Sequence, residues 1–524
     1  MKGTLNLLIL ALLIVSCSKE GKVPEHGINY SYGRNLEHER IVLGNRLENP
    51  YKTVNVTKAL MSLYPTKADR VEVKATDLYV RFLPSSEQEC DLLIGMGLEL
   101  IDHPLDYEIA VEGDWYHDPE VPEGQVTWQY AVVPVGFEFP ADIEYELIDE
   151  CYIINNPAVR SDGIDWEAVE REAYRITGNE HRYNDITTKA STKVVPSGRI
   201  TIVDQNASGG KPFGVAGVKV SCNSFVKFDS AYTDRDGYYA MSKTFSSDLR
   251  YRLVFQNTKG FAIGLNLILV PASVSTLGKS SSAGVNMTVT SASDSKLFRR
   301  CVVNNAAYDY YSRCSKEDLN LTLPPKDLRI WIFNNMESSS AVMLHHNAFL
   351  SNSLVSKYLG QYASLIKCLL PDITIGTKGM ADYASIYGAV CHELAHASHF
   401  AKVGTDFWNP YITYIITSYI TSGGNAYGDG TGDKAGLCEV SEMWAYYIQS
   451  RMFKDRYGGT FPSYGTSFWF SPQIYRYLDD RGMKPYQFLS VMNTDVVNKS
   501  CLKQKLIETY PTKRTVIEQV FSRY

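Results

Sequence analysis

Histidine is scarce in this chain, with 10 in 524 residues, so two of them at a functional spacing carry weight. There is no long basic run, and the formal net charge is -6. With no cationic stripe to neutralise phosphates, the expected functions do not include nucleic-acid binding. The cysteines are scattered, without a C-x-x-C pair. Beyond an N-terminal leader nothing is apolar enough to span a bilayer. The glycine-rich stretch Ser422–Asp433 lacks the lysine and spacing of a phosphate loop. The run Asp234-Arg235-Asp236-Gly237 lacks the closing glutamate of an EF-hand loop, so it reads as a structural turn rather than a calcium site.

What is present centres on Tyr387–Phe400, an apolar stretch without proline that contains His392-Glu393-Leu394-Ala395-His396. Such a run predicts a buried helix, and positions i and i+4 share one helix face. His392 and His396 then project side by side, able to share one metal ion, while Glu393 lies one step round, within reach of a water on that metal. This pattern resembles the zincin arrangement of two histidine ligands and a general base. A catalytic zinc takes three protein ligands and keeps one position open. His399 lies on the same face, but an unbroken helix carries it a full turn away from the metal. Phe400-Ala401-Lys402 follows where the metzincin pattern has a glycine turn and a further histidine.

Downstream, Gly436–Tyr447 reads as a second apolar helix carrying Glu439 and Glu442. With it the chain resembles the gluzincins, metallopeptidases whose third zinc ligand is a glutamate on a later helix, often in Glu-x-x-Ala. Glu442-Met443-Trp444-Ala445 matches that pattern. The resemblance therefore implies one Zn2+ on His392, His396 and Glu442, with Glu393 as general base. Glu439 is the alternative ligand, or the group that orients a histidine. Tyr446 stands where several gluzincins have a histidine-orienting aspartate. Tyr446 and Tyr447 are near enough in sequence to serve a developing oxyanion, with no role assigned to either. The resemblance covers about residues 365–455.

Residues 1–16 have the positive end and short apolar core of a secretory signal. Ile14-Val15-Ser16-Cys17 resembles a bacterial lipobox, which implies cleavage before a lipid-carrying Cys17 and an exported chain held on a membrane, with residues 17–29 as a tether. Alternating patterns with Gly, Pro and Asp breaks predict a β-rich domain over 30–190, with strands near 70–83, 107–111, 126–139 and 143–154 and a charged connecting helix over 166–183. Trp115, His117 and Asp118 read as a surface turn. Residues 196–264 hold strand patterns around Thr233-Asp-Arg-Asp-Gly-Tyr-Tyr239 and resemble the carboxypeptidase regulatory-like, prealbumin-type β-sandwich.

The Ser/Ala/Thr/Gly-rich stretch 265–296 reads as a linker or exposed hairpin. The zincin-like domain is expected over 297–524: a helix at 297–315, a strand at 328–333, a long helix over 341–369, and a mostly helical end. A strand at 373–376 reads either as an edge for binding extended substrate or as a buried strand. His345 and His346 read as partly exposed helix residues, and Cys391 and Cys438 as buried thiols. The expected architecture is multidomain: β-rich, then β-sandwich, then α+β. The expected activity is zinc-dependent hydrolysis of peptide or protein substrates. The contrasting expectation is a surface binding or scaffold lipoprotein whose zincin-like part is inactive or structural, its metal site closed by a fourth ligand such as Cys438 or His399.

Overall fold

The computed structural model describes residues 40–68, 71–122, 125–154, 163–183, 194–264, 272, 274–292, 295–315, 319–334, 336–348, 371–422 and 424–524. The expected leader and tether, with Cys17, lie outside these residues. The chain is multidomain, with large β-sheets followed by a helical C-terminal end. No helix among the described residues is long and apolar enough to cross a membrane.

In the N-terminal part, β1 (Val42–Arg46) pairs with β3 (Tyr107–Val111). Strand β2 (Asp77–Leu83) lies between β4 (Gln129–Pro134) and β5 (Glu144–Cys151). The strand expected from residue 70 thus begins only at Asp77. The connecting helix is Trp166–Ile176, started by Asp165, whose carboxylate accepts from the backbone N–H groups of Glu167 and Ala168. His117 is not on the surface. It is 6% exposed, its ring nitrogens on the carbonyls of Asp118 and Gln125, because the turn folds back on itself.

Two sheets share the next core. One holds β6 (Ser197–Val203) beside β10 (Tyr238–Ala240) and β14 (Met287–Val289), with β7 (Pro212–Gly214) also on β6. The larger one contains β8 (Val218–Ser224), β9 (Lys227–Tyr232), β11 (Leu249–Asn257), β12 (Phe261–Ile263) and β13 (Val274–Ser280). Period-two alternation aims Leu249, Tyr251, Leu253 and Phe255 of β11 inward, all fully buried, against Val218, Val220 and Cys222 of β8. The Asp234 turn is closed by its own carboxylate, which accepts from the N–H groups of Asp236 and Tyr238. Gly237 there has φ +84, and a Cβ on it would lie 2.1 Å from the carbonyl oxygen of Ile200.

In the stretch 265–296, the described residues 274–292 are not a loose linker or a hairpin: β13 joins β11 and β14 joins β6, so they tie one sheet to the other. The larger sheet also continues into the C-terminal half. Strand β12 pairs in parallel with β15 (Leu328–Phe333), β15 with β17 (Ile373–Gly376), and β17 antiparallel with β16 (Ser340–Ala341). Strand β17 is therefore interior and buried, not the expected substrate-binding edge. The outermost strand is β16, and the Ala341 carbonyl already accepts from the Trp408 indole at 3.1 Å.

The helix expected from residue 341 does not begin there. Met343 and Asn347 have φ of 55 and 66, and the segment is pinned to Asp372, whose carboxylate accepts from the backbone N–H of His346. His346 also places its ring Nδ1 2.9 Å from that carboxylate. The remainder of that expected helix, from residue 349, lies outside the described residues.

Helix Ser295–Cys314 packs beneath the long helix Tyr383–Ser422, which pairs with helix Ala435–Tyr457. The long helix is broken at Gly404, which has φ 68 and ψ -169, a conformation that glycine adopts without steric cost. Four further helices complete the chain: Gln473–Asp480, Pro485–Val491, Lys499–Thr509 and Arg514–Phe521.

Candidate metal centre

His392 and His396 stand one turn apart on the helix Tyr383–Ser422, with ring centroids 4.9 Å apart. From Tyr383 to Phe400 that helix is buried on most of its circumference rather than along one stripe. The helix Ala435–Tyr457 lies against it, and the indole of Trp444 donates to the carbonyl of Ala395 at 3.0 Å. This crossing delivers Glu442, whose Oε2 lies 3.5 Å from His392 Nε2 and whose Oε1 lies 3.5 Å from His396 Nε2. The three donor atoms fall within 4.8 Å of one another, and all three residues are buried.

This group could hold a metal ion. Tetrahedral bonds of about 2.0–2.1 Å imply donor–donor edges of about 3.3–3.4 Å, close to the observed carboxylate–imidazole separations. The unpaired atoms point the same way. His392 Nε2 and Glu393 Oε2 are buried with no hydrogen-bond partner among the described residues, an arrangement costly unless another group answers them.

The outer nitrogens are held by groups that sequence reasoning passed over. Gln449 Oε1 accepts from His392 Nδ1 at 3.2 Å, which leaves Nε2 as the free lone pair. Ser441 Oγ lies 3.1 Å from His396 Nδ1 and 3.3 Å from His399 Nδ1. If His396 donates to the hydroxyl and the hydroxyl donates to His399 Nδ1, His396 Nε2 is left for a metal, while His399 Nε2 is buried with no hydrogen-bond partner among the described residues. Tyr411 donates to Glu442 Oε1 at 2.6 Å. Gln449 was legible, being two helical turns beyond Glu442 on the same face. Tyr411 was not: the break at Gly404 turns the helix so that Trp408 and Tyr411 pack on His396.

Burial, together with the charge of Glu442, pushes the Glu393 carboxyl far above the usual carboxylate range. Glu442 is pushed up by burial too, but His396 and His392 outweigh this and hold it well below that range. Burial lowers His392, opposed by the neighbouring Glu442 carboxylate. Burial and the neighbouring His396 lower His399 to about 3, so it is neutral.

The other groups weighed for the site do not join the donor group. Glu439 turns outward, accepting from the backbone N–H of Lys499 at 2.9 Å with the Lys499 ammonium 3.4 Å away, so it anchors the start of a later helix. His399 lies among Phe407 and Trp408, outside the donor group. Burial raises both the Cys391 and Cys438 thiols, which keeps them protonated. Tyr446 packs its ring on His392 at 4.4 Å and pairs its hydroxyl with that of Tyr427 at 2.9 Å. Tyr446 is thus a packing group beside His392, and Gln449 is the residue that holds the His392 Nδ1. Tyr427 in the glycine-rich span is fully buried, and its carbonyl accepts from Tyr414 and Trp469, which pins the span at that residue.

No family model matches this chain, and no curated protein matches it. A solved structure titled "Crystal structure of (S)-allantoin synthase" is similar to part of it, at 9% identity over 25% of this chain and 50% of that chain, with a TM-score of 0.12. The match spans half the length of that protein, and at this TM-score it carries no argument about fold or chemistry.

Proposed function

We propose that the chain is a zinc-dependent peptidase of gluzincin type, with His392, His396 and Glu442 as ligands and Glu393 as general base. Two imidazoles and one carboxylate form a donor set suited to catalytic zinc. The observation that carries the reading is the second carboxylate. Glu393 is 1% exposed, beside the donor group, and its Oε2 has no partner among the described residues. A purely structural site has no use for it.

Zinc bound there would supply Lewis acidity, polarising a scissile carbonyl and acidifying water. Glu393 accepts the proton as the water oxygen bonds to the carbonyl carbon, then returns that proton to the nitrogen as the carbon–nitrogen bond breaks. Gln449 and Ser441 hold the imidazoles in the tautomers that ligation needs, and Tyr411 fixes the Glu442 carboxylate. The prealbumin-type sandwich resemblance fits a spacer beside the catalytic half. The leader and Cys17 fit export and a lipid anchor, with peptide or protein as substrate.

A second reading is a structural metal site within a surface binding lipoprotein. Burial favours it: His392 is 4% exposed, the most of the three ligands. Elemental mass spectrometry on the chain beginning after Cys17, with a His392→Ala control, combined with a peptide-library digest, separates the two. About one zinc per chain with cleavage that disappears in Glu393→Gln supports the peptidase. The same zinc with no cleavage supports the structural site, and no retained zinc rejects both.

A further inference from the structure

A second buried polar site lies far along the chain from the metal centre, where the N-terminal part meets the outer face of β11. The alternation that points Tyr251 and Leu253 into the sandwich core points Arg250, Arg252, Val254 and Gln256 the other way, into a cavity of about 90 Å³. Ile94, Leu98 and Trp115 close it from the N-terminal side. At ~30 Å³ per water that is space for about three waters, or for one short organic molecule.

The cavity holds a cation that no carboxylate pairs with among the described residues, although its guanidinium lies 5.9 Å over the Phe228 ring. Arg252 is 3% exposed, and its one hydrogen bond among the described residues runs from Nη2 to Asn223 Oδ1 at 2.9 Å. Its Nε and Nη1 are buried without partners. The acids around it are engaged elsewhere. Asp114 pairs with Lys296 at 2.8 Å and Arg300 at 2.9 Å, Glu99 with Lys219 at 3.3 Å, and Asp102 with His103 at 2.8 Å. Arg250 is taken by Glu112. Burial brings Arg252 down to about 10, with Glu99 opposing and Arg250 adding to the fall, so it stays charged at neutral pH. An uncompensated buried guanidinium is expensive unless an anion or ordered water meets it.

We propose that this cavity binds a small monocarboxylate, with its head against the Arg252 guanidinium and its short apolar body against Ile94, Leu98 and Val274. A single negative charge matches the single unanswered cation. A dianion would also meet Asp102, Glu99 and Asp114 across the cavity. Hydrocarbon lining on one side and a charged donor on the other is the usual construction of a site for such a molecule. The inference is independent of the metal reading, because no residue is shared between the two sites.

The test is a calorimetric and thermal-shift titration of the full chain with sodium butyrate, against butyramide and inorganic phosphate at fixed ionic strength. Saturable 1:1 binding of butyrate, about tenfold or more tighter than either comparison ligand, is the expected result. Arg252→Gln is expected to weaken butyrate about tenfold or more. Val254→Phe, which fills the cavity and keeps the guanidinium, is expected to block butyrate, and it decides the question if Arg252→Gln fails to fold. Phosphate binding as tightly as butyrate would overturn the carboxylate assignment. So would undiminished binding of butyrate in the variants, or none up to about 10 mM.

Discussion

Asp204 and Glu393 are both buried carboxylates, 0% and 1% exposed, and the protein treats them in opposite ways. Asp204 is closed on all sides. Oδ1 accepts from the backbone N–H of Asn206 at 3.0 Å; Oδ2 accepts from Arg456 Nη2 at 2.8 Å and the Tyr457 hydroxyl at 2.9 Å. The Arg456 guanidinium in turn stacks among Phe213, Tyr383 and Tyr387. This is a latch between the end of β6 and the helix Ala435–Tyr457, and it asks for nothing further. Glu393 has an oxygen buried without a partner and a second carboxylate, Glu442, as its charged neighbour. A buried acid that the chain satisfies holds structure; one that it leaves open is positioned for a group from outside.

Substitutions can break this contrast, and the largest effect is expected at the open carboxylate. Glu393→Gln should lower turnover of a cleaved peptide about 10²–10⁴-fold while zinc per chain stays at the parent value. Turnover unchanged in this variant would remove Glu393 from the chemistry. Asp204→Ala should do the reverse, costing about 3–5 kcal/mol in denaturant unfolding by stranding Arg456 with no change in metal content. Equal metal loss in both variants would erase the distinction between latch and site.

Gln449→Leu tests the orientation of His392. Zinc affinity in a competition titration should fall about 10–100-fold, with the unfolding midpoint close to that of the parent. The smallest effect is expected at Glu439→Gln. It should cost about 1 kcal/mol through the weakened contact with Lys499 and give a zinc titration that overlays the parent, whereas Glu442→Gln should lose the metal. The opposite ranking would show that the other glutamate is the ligand.

How much of the molecule is readable from sequence depends on the range of the interactions. The pairing of His392 with His396, the inward face of β11 and the Asp234 turn rest on a few residues of local geometry, and each is visible as a spacing or a composition. Strand β17 misleads because an apolar run does not say whether neighbours lie on one side or both, and β16 supplies the second neighbour. The stretch 265–296 misleads because serine and glycine suggest a loose connection, while its residues pair with strands distant in sequence. The segment after Ala341 reads as helix until the Asp372 contacts and the positive φ values intervene.

The amino-acid order by itself determined that a His-Glu-x-x-His helix exists, that its two histidines share a face, and that a second apolar helix carries candidate acids, because helical periodicity acts over one or two turns. Only the tertiary structure decided between Glu439 and Glu442, brought Tyr411 back past Gly404, and set Gln449 and Ser441 behind the imidazoles. Those outcomes depend on the angle and register at which two buried helices cross, which is fixed by packing against the whole core rather than by any short stretch of chain.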